Sequence, residues 1–152
     1  MNQSFAALLL AARRERQLVI ATALTDGAPS GQARQARLAQ QQGAGAAELR
    51  ADLLADPAQV RAALTAVRAA SSLPLLLTYR STTEGGKGAG HGQGYEDYLA
   101  SLLQLRPAVA AVDIEMACPA SKALVAEAKA GGYDVVGSCH DFTATPSAAQ
   151  IA

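Results

Sequence analysis

The stretch AAELRADLLADPAQVRAALTAVRAASSLPLLLTYR, residues 46–80, decides the fold. Its middle is helical: apolar residues recur at helical spacing from Pro57 to Ala70, Asp56 is a good N-cap and Pro57 a good first helical residue. A helix that starts at 56–57 leaves 46–54 as a separate element, most simply a strand. LPLLLTYR (73–80) is the clearest strand of the chain, apolar until its last residues. The segment is therefore a strand–helix–strand unit.

The same alternation runs outward in both directions. LVIATAL (18–24) reads as a buried strand, DGAPSG as a loop, and 32–42 as a helix closed by Gly43 and Gly45. Beyond Arg80 comes the Gly-rich loop STTEGGKGAGHGQG (81–94), read as solvated around Lys87 and His91. A helix follows over 95–105, ended by Pro107. AVAAVDIEMA (108–117) is a fourth strand, 121–130 a helix stopped by Gly131-Gly132, and YDVVGSCHDF (133–142) a fifth strand. TATPSAAQIA opens another helix, capped by Thr143 or Thr145. At the start, FAALLLAARRER forms a short helix whose arginines suit the negative C-terminal dipole. Its charge order is the reverse of a signal peptide, and no apolar run reaches membrane-spanning length.

Repeated β-α units predict a parallel sheet covered by helices. Two architectures fit: a five-stranded doubly wound sheet, or part of a (β/α)8 barrel. The 152 residues suffice for one domain with a real core. Thirteen basic and thirteen acidic residues give a net charge of +0, which argues against a general grip on nucleic acid or anionic membrane. Cys118 and Cys139 lie far apart and read as reduced thiols of a cytoplasmic protein, with Cys139 in the core.

Polar residues gather at the C-terminal ends of the strands, where parallel α/β folds build their sites. The first strand offers only Thr22 and Thr25. The second offers Glu48 and Arg50 on one face, the third Arg80 with Glu84 beyond it, the fourth Asp113 and Glu115 on one face, and the fifth His140 beside Asp141. Arg80 could also pair with Glu48 or Glu115 merely to neutralise buried charge. Neither nucleotide-binding glycine fingerprint is present after the first strand. His91 and His140 look isolated, and nothing has metal-ligand spacing.

ELRAD (48–52), LLLTYRSTTEGG (75–86), VDIEM (112–116) and VVGSCHDFTATPS (135–147), in this order and spacing, resemble the type I 3-dehydroquinate dehydratases, the Schiff-base class of the shikimate pathway. The resemblance implies a (β/α)8 barrel, of which the chain carries about five strands as one incomplete domain. It implies a lyase that dehydrates 3-dehydroquinate to 3-dehydroshikimate, without cofactor or metal, in a family often dimeric. His140 then matches the catalytic general acid/base and Glu84 the carboxylate that orients it. Glu48, Arg50 and Arg80 match substrate-binding positions, an Arg fork suiting a carboxylate, with Asp113 and Glu115 as supporting groups behind them. The family's imine-forming lysine belongs on a sixth strand. None of Lys87, Lys122 or Lys129 matches it, so the covalent catalyst is expected to be absent. The first strand has Thr22 or Ala23 where some relatives place a Ser. The implied chain is truncated, and unstable or oligomeric alone. The alternatives are an inactive small-molecule binding or interaction fragment, a half-barrel completed by a separate chain, and a free-standing doubly wound domain.

Overall fold

The computed structural model describes residues 4–105 and 109–151. The elements run α1 (Phe5–Glu15), β1 (Ala21–Leu24), α2 (Pro29–Gln41), β2 (Ala46–Arg50), a 3-10 turn (Ala51–Leu53), α3 (Pro57–Ala70), β3 (Leu75–Thr78), α4 (Gln93–Leu102), β4 (Ala111–Glu115), α5 (Ser121–Ala130), β5 (Asp134–Ser138) and α6 (Ala148–Ile151). Local chemistry sets several of these bounds. Asp56 caps α3 as expected, its carboxylate accepting from the Gln59 amide at 2.9 Å. Gly132, at φ 74°, turns the chain out of α5 into β5.

The strands are shorter than the apolar runs that announce them. Leu18 and Ile20 precede β1 and are 96% and 64% exposed, so that run is not a buried strand throughout. The expected strand 46–54 splits, because pairing ends at Arg50 and the chain tightens into the 3-10 turn. α6 starts at Ala148, and Thr143 does not cap it: the Thr143 hydroxyl donates to Asp141 at 2.6 Å. The expected stop at Pro107 and the start of a strand at 108 lie outside the described residues.

All five strands are parallel, in the order β1-β2-β3-β4-β5. A doubly wound sheet would place its first strand inside the sheet. Unbroken sequential order with a helix after each strand is the order of a (β/α)8 barrel, and the structure is a five-stranded arc of one. The doubly wound alternative is thereby excluded.

Alternation gives the arc two unlike faces. Leu24, Ala47, Leu49, Leu75, Leu77, Val112 and Ile114 pack outward against Ala36, Val60, Leu64, Leu99 and Leu124 of the helices. The inner face is apolar only at the strands' N-terminal ends, where Ala46, Leu76, Ala111 and Val136 meet Phe5, Leu8 and Val19. α1 floors the arc there. Asp134 at the start of β5 holds it, accepting from the Ser4 hydroxyl and the Ala6 amide, both at 2.8 Å. A carboxylate at a helix N-terminus serves free N–H groups and the positive dipole end. Among the described residues no helix is long and apolar enough to cross a membrane.

Candidate active site

Above the apolar floor, the same inward face turns polar. Glu48 and Arg50 follow Ala46 on β2, Thr78 follows Leu76 on β3 with Arg80 two residues past its end, Asp113 and Glu115 follow Ala111 on β4, and Ser138 follows Val136 on β5 with His140 two residues past its end. Period-two alternation and parallel register thus lift each charged residue to the C-terminal edge beside its neighbours.

Arg80 is the hub. It is 8% exposed, and its Nη1 lies 3.1 Å from Glu115 Oε1 and 3.4 Å from Glu84 Oε2, while Nη2 lies 3.2 Å from Asp113 Oδ1. Ser138 closes the set, accepting from Arg80 at 2.9 Å and donating to Asp113 at 2.7 Å. Arg80 therefore pairs with Glu115 but not with Glu48. Of its partners Glu115 is the most heavily bonded, accepting from the Ser81 amide at 2.8 Å and the Ser81 hydroxyl at 2.6 Å. Burial alone would push the Glu115 carboxyl up; Ser81, His91 and Arg80 outweigh it and hold the group below its ordinary value. Asp113 goes the other way, since burial there exceeds what Ser138 and Arg80 return.

Glu84 reaches the site through a tight turn. Its amide donates to the Ser81 carbonyl at 3.2 Å and the Ser81 hydroxyl at 3.1 Å, and the Gly86 amide donates to the Ser81 carbonyl at 2.7 Å. A Cβ on Gly86 would stand 2.2 Å from the Arg80 carbonyl oxygen, so only glycine fits. The turn aims Glu84 at His140. Glu84 Oε2 accepts from the His140 backbone amide at 3.0 Å and lies 2.8 Å from His140 Nδ1. An ionised carboxylate at Nδ1 selects the tautomer protonated there and leaves Nε2 with its lone pair. The His140 side chain is 40% exposed, whereas that of Glu84 is 3% exposed.

Arg50 is held apart from this hub. Its Nε and Nη2 each lie 2.8 Å from a different oxygen of Asp52, a bidentate pair. The Asp52 hydrogen bond raises the Arg50 pKa. Burial works against ionised Asp52, but the Arg50 hydrogen bonds and charge and the Lys87 backbone amide prevail and lower its pKa. Glu48 is half-buried next to this pair.

Three expectations need correction. The Gly-rich loop is not a disordered solvated segment: Ser81 bridges to Gly88, the Lys87 amide donates to Asp52, and the Ala89 amide donates to the Tyr79 hydroxyl at 2.8 Å. Tyr79 in turn stacks on Tyr98 with ring centroids 4.2 Å apart. Of the two side chains read as solvated, Lys87 is exposed and His91 is half-buried. Nor are the histidines isolated. His91 Nε2 lies 2.6 Å from Glu115 Oε2, and the ring meets the Tyr95 ring edge-on. Glu84, His91 and Glu115 can each bring a metal-ligand atom within 4.8 Å of the others. Finally, Cys139 is exposed, because β5 ends one residue before it; Cys118 is buried, and both thiols are free.

Ser81, Ser138, Asp52 and His91 escaped the sequence reading as site residues. Ser138 had a signal, since it lies two residues before His140 and shares its face. Asp52 and His91 had none, because each is brought in by a turn or loop with no periodicity.

Comparison with known proteins agrees with this geometry. The chain is 37% identical to the 3-dehydroquinate dehydratase of Methanosarcina barkeri over 73% of its own length and 48% of that protein. It is 38% identical to the 3-dehydroquinate dehydratase of Methanoregula boonei over 84% of its length and 54% of that protein. The chain spans about half the length of the curated relatives it matches. The solved 3-dehydroquinate dehydratase of Enterococcus faecalis superposes with a TM-score of 0.76 at 27% identity, covering 88% of this chain and 57% of that one. The family model for type I 3-dehydroquinase matches residues 20–152, leaving α1 outside it; the chain belongs to that family.

Proposed function

We propose that this chain carries the substrate-gripping and proton-transfer part of a 3-dehydroquinate dehydratase site. The observation that carries the reading is the Glu84–His140 pair, 2.8 Å apart, at the strand edge that also holds Arg50 and Glu48. His140 Nε2 is the general base that takes the proton from the carbon beside the substrate ketone. The same nitrogen then gives that proton to the departing hydroxyl, which leaves as water. Glu84 fixes the ring and steadies the imidazolium between the two steps. Arg50, preset by Asp52, offers its remaining N–H groups to the substrate carboxylate. Arg80, engaged by three carboxylates, acts by setting Glu84 and Glu115 rather than as a free anion clamp.

In this family a lysine imine is the electron sink for proton loss. Lys87 stands on the β3–α4 loop, and Lys122 and Lys129 stand on α5; none follows His140 on a neighbouring strand. The two free thiols suit a reducing, cytoplasmic compartment.

The test is titration of the 152-residue protein with 3-dehydroquinate, followed by calorimetry and by ultraviolet absorbance of the enone product, with borohydride trapping and mass spectrometry. The expected result is saturable binding that Arg50→Ala weakens by about tenfold or more, with no trapped adduct. An adduct on Lys87, Lys122 or Lys129 with turnover would overturn the assignment of the missing sink. Absence of binding would overturn the whole reading. Binding insensitive to Arg50→Ala and His140→Ala would favour the inactive small-molecule binding alternative.

A further inference from the structure

The His91 loop carries chemistry that the dehydration reading does not use. We propose that Glu84, His91 and Glu115 form a binding site for a divalent transition-metal cation such as Zn2+.

Four observations converge on it. One ligand atom from each of the three residues lies within 4.8 Å of the other two. Glu84 is 3% exposed, and its Oε1 is buried with no hydrogen-bond partner, although Oε2 serves Arg80 and His140. A buried carboxylate oxygen left bare costs free energy unless something occupies it. The charge balance also leaves room for a cation. Glu84, Asp113 and Glu115 are three buried carboxylates that share one guanidinium, Arg80. Lastly, Arg80 takes Glu115 Oε1 and Glu84 Oε2, so the oxygens turned away from the guanidinium are Glu84 Oε1, which is bare, and Glu115 Oε2, which accepts from the Ser81 hydroxyl and faces His91.

The donor set is one imidazole and two carboxylates, with a fourth position left for water or an anion. That set suits zinc and its cobalt substitute, with metal–ligand bonds of about 2.0–2.2 Å. His91 Nε2 and Glu115 Oε2, now 2.6 Å apart, must open to about 3.3 Å to flank a tetrahedral ion. Glu84, whose ligand atom lies within 4.8 Å of the other two, must close in by up to about 1.5 Å. Outer support is in place: Ser81 Oγ donates to Glu115 Oε2, the His91 amide donates to Thr83 Oγ1 at 3.1 Å, and Tyr95 packs against the imidazole edge. Because Glu84 also holds His140, an ion seated here would be felt at His140.

The site shares Glu84 with the dehydration reading, but its test reads metal binding and not turnover, so the two stand or fall apart. Tag-free protein in a Cys139→Ser background, which removes the exposed thiol, is titrated with Co2+ by visible absorbance and with Zn2+ by calorimetry. The expected result is one saturating ion per chain, with Zn2+ displacing Co2+. His91→Ala is expected to weaken binding by more than the 10–100-fold that loss of an outer partner costs, with an unchanged circular dichroism spectrum. Should His91→Ala fold poorly, His91→Gln keeps a polar contact to Glu115 while removing the imidazole ligand. Absence of saturable binding, or an affinity untouched by either folded variant, overturns the site.

Discussion

Replacing Arg80 by Met tests whether one guanidinium keeps the strand edge of this protein folded. The substitution keeps the length of the stem and removes the guanidinium that ion-pairs with Glu84, Asp113 and Glu115 together. Removing one partner of a buried ion pair costs about 3–5 kcal/mol, because the other charge stays buried and uncompensated. The three losses do not add. Glu115 keeps Ser81 and His91, Glu84 keeps His140, and Asp113 keeps only the Ser138 hydroxyl. Asp113 thus sets the penalty, and the expected loss stays near 3–5 kcal/mol. That is a large share of the 5–15 kcal/mol typical of a domain.

The penalty depends on pH in a defined direction. Asp113 already has a raised pKa, with burial the largest cause and Arg80 among the groups that lower it. Without Arg80 the pKa rises further above its unfolded value. Ionising the carboxyl then opposes folding, so the penalty is full above the folded pKa and fades as pH falls through it. Urea unfolding of wild type and Arg80→Met at pH 7 and pH 5 measures this, with the difference between proteins expected to be smaller at pH 5. Arg80→Lys restores a charge without the fork and is expected to recover part of the loss at pH 7. A cost below 1 kcal/mol, or one equal at both pH values, refutes the hub argument.

Glu84→Gln is expected to abolish the fixed tautomer of His140: nitrogen NMR should show Nδ1–H in the wild type and a mixture in the variant. Phe5→Ala should cost about 3 kcal/mol, the low end for a buried Phe because its cluster is small and most of its neighbours are only partly buried, and thermal or urea unfolding reads it. Asp134→Ala should cost about 1 kcal/mol by the same measurement, through loss of the α1 N-terminal bonds. Gly86→Ala should destabilise by about 1–3 kcal/mol or more, since the added methyl meets the fixed Arg80 carbonyl and not a mobile side chain.

The parts of this fold that local chemistry decides were legible. Asp56-Pro57 starts α3 where a cap and an N1 proline must, and Gly131-Gly132 stops α5. The parts that pairing decides were not. Leu18 and Ile20 are as apolar as any strand residue, yet the strand register begins only at Ala21, the Ile20 carbonyl accepting from the Gly45 and Ala46 amides, and both side chains stand exposed. Strand order is likewise invisible to periodicity. An arc and a doubly wound sheet use the same runs of Leu, Val and Ala, and the choice came from the resemblance of four motifs before the register showed it.

The site divides along the same line. Alternation within a strand placed Asp113 with Glu115 and Glu48 with Arg50, because a side chain's face follows from its own strand alone. What each residue does there depends on its neighbours' register. Arg80 reads as an anion clamp in isolation and becomes a hub because β4 sets two carboxylates, and the Ser81–Glu84 turn a third, against it. His91 shows the opposite failure. Six glycines from Gly85 to Gly94 suggest a loop too loose to hold anything. Yet the loop is anchored at Ser81 by Glu115, at Lys87 by Asp52 and at Ala89 by the Tyr79 hydroxyl, and those anchors deliver an imidazole to a carboxylate 24 residues away. Glycine there permits the close approach of backbone to Arg80 that the turn demands, and the order comes from the partners.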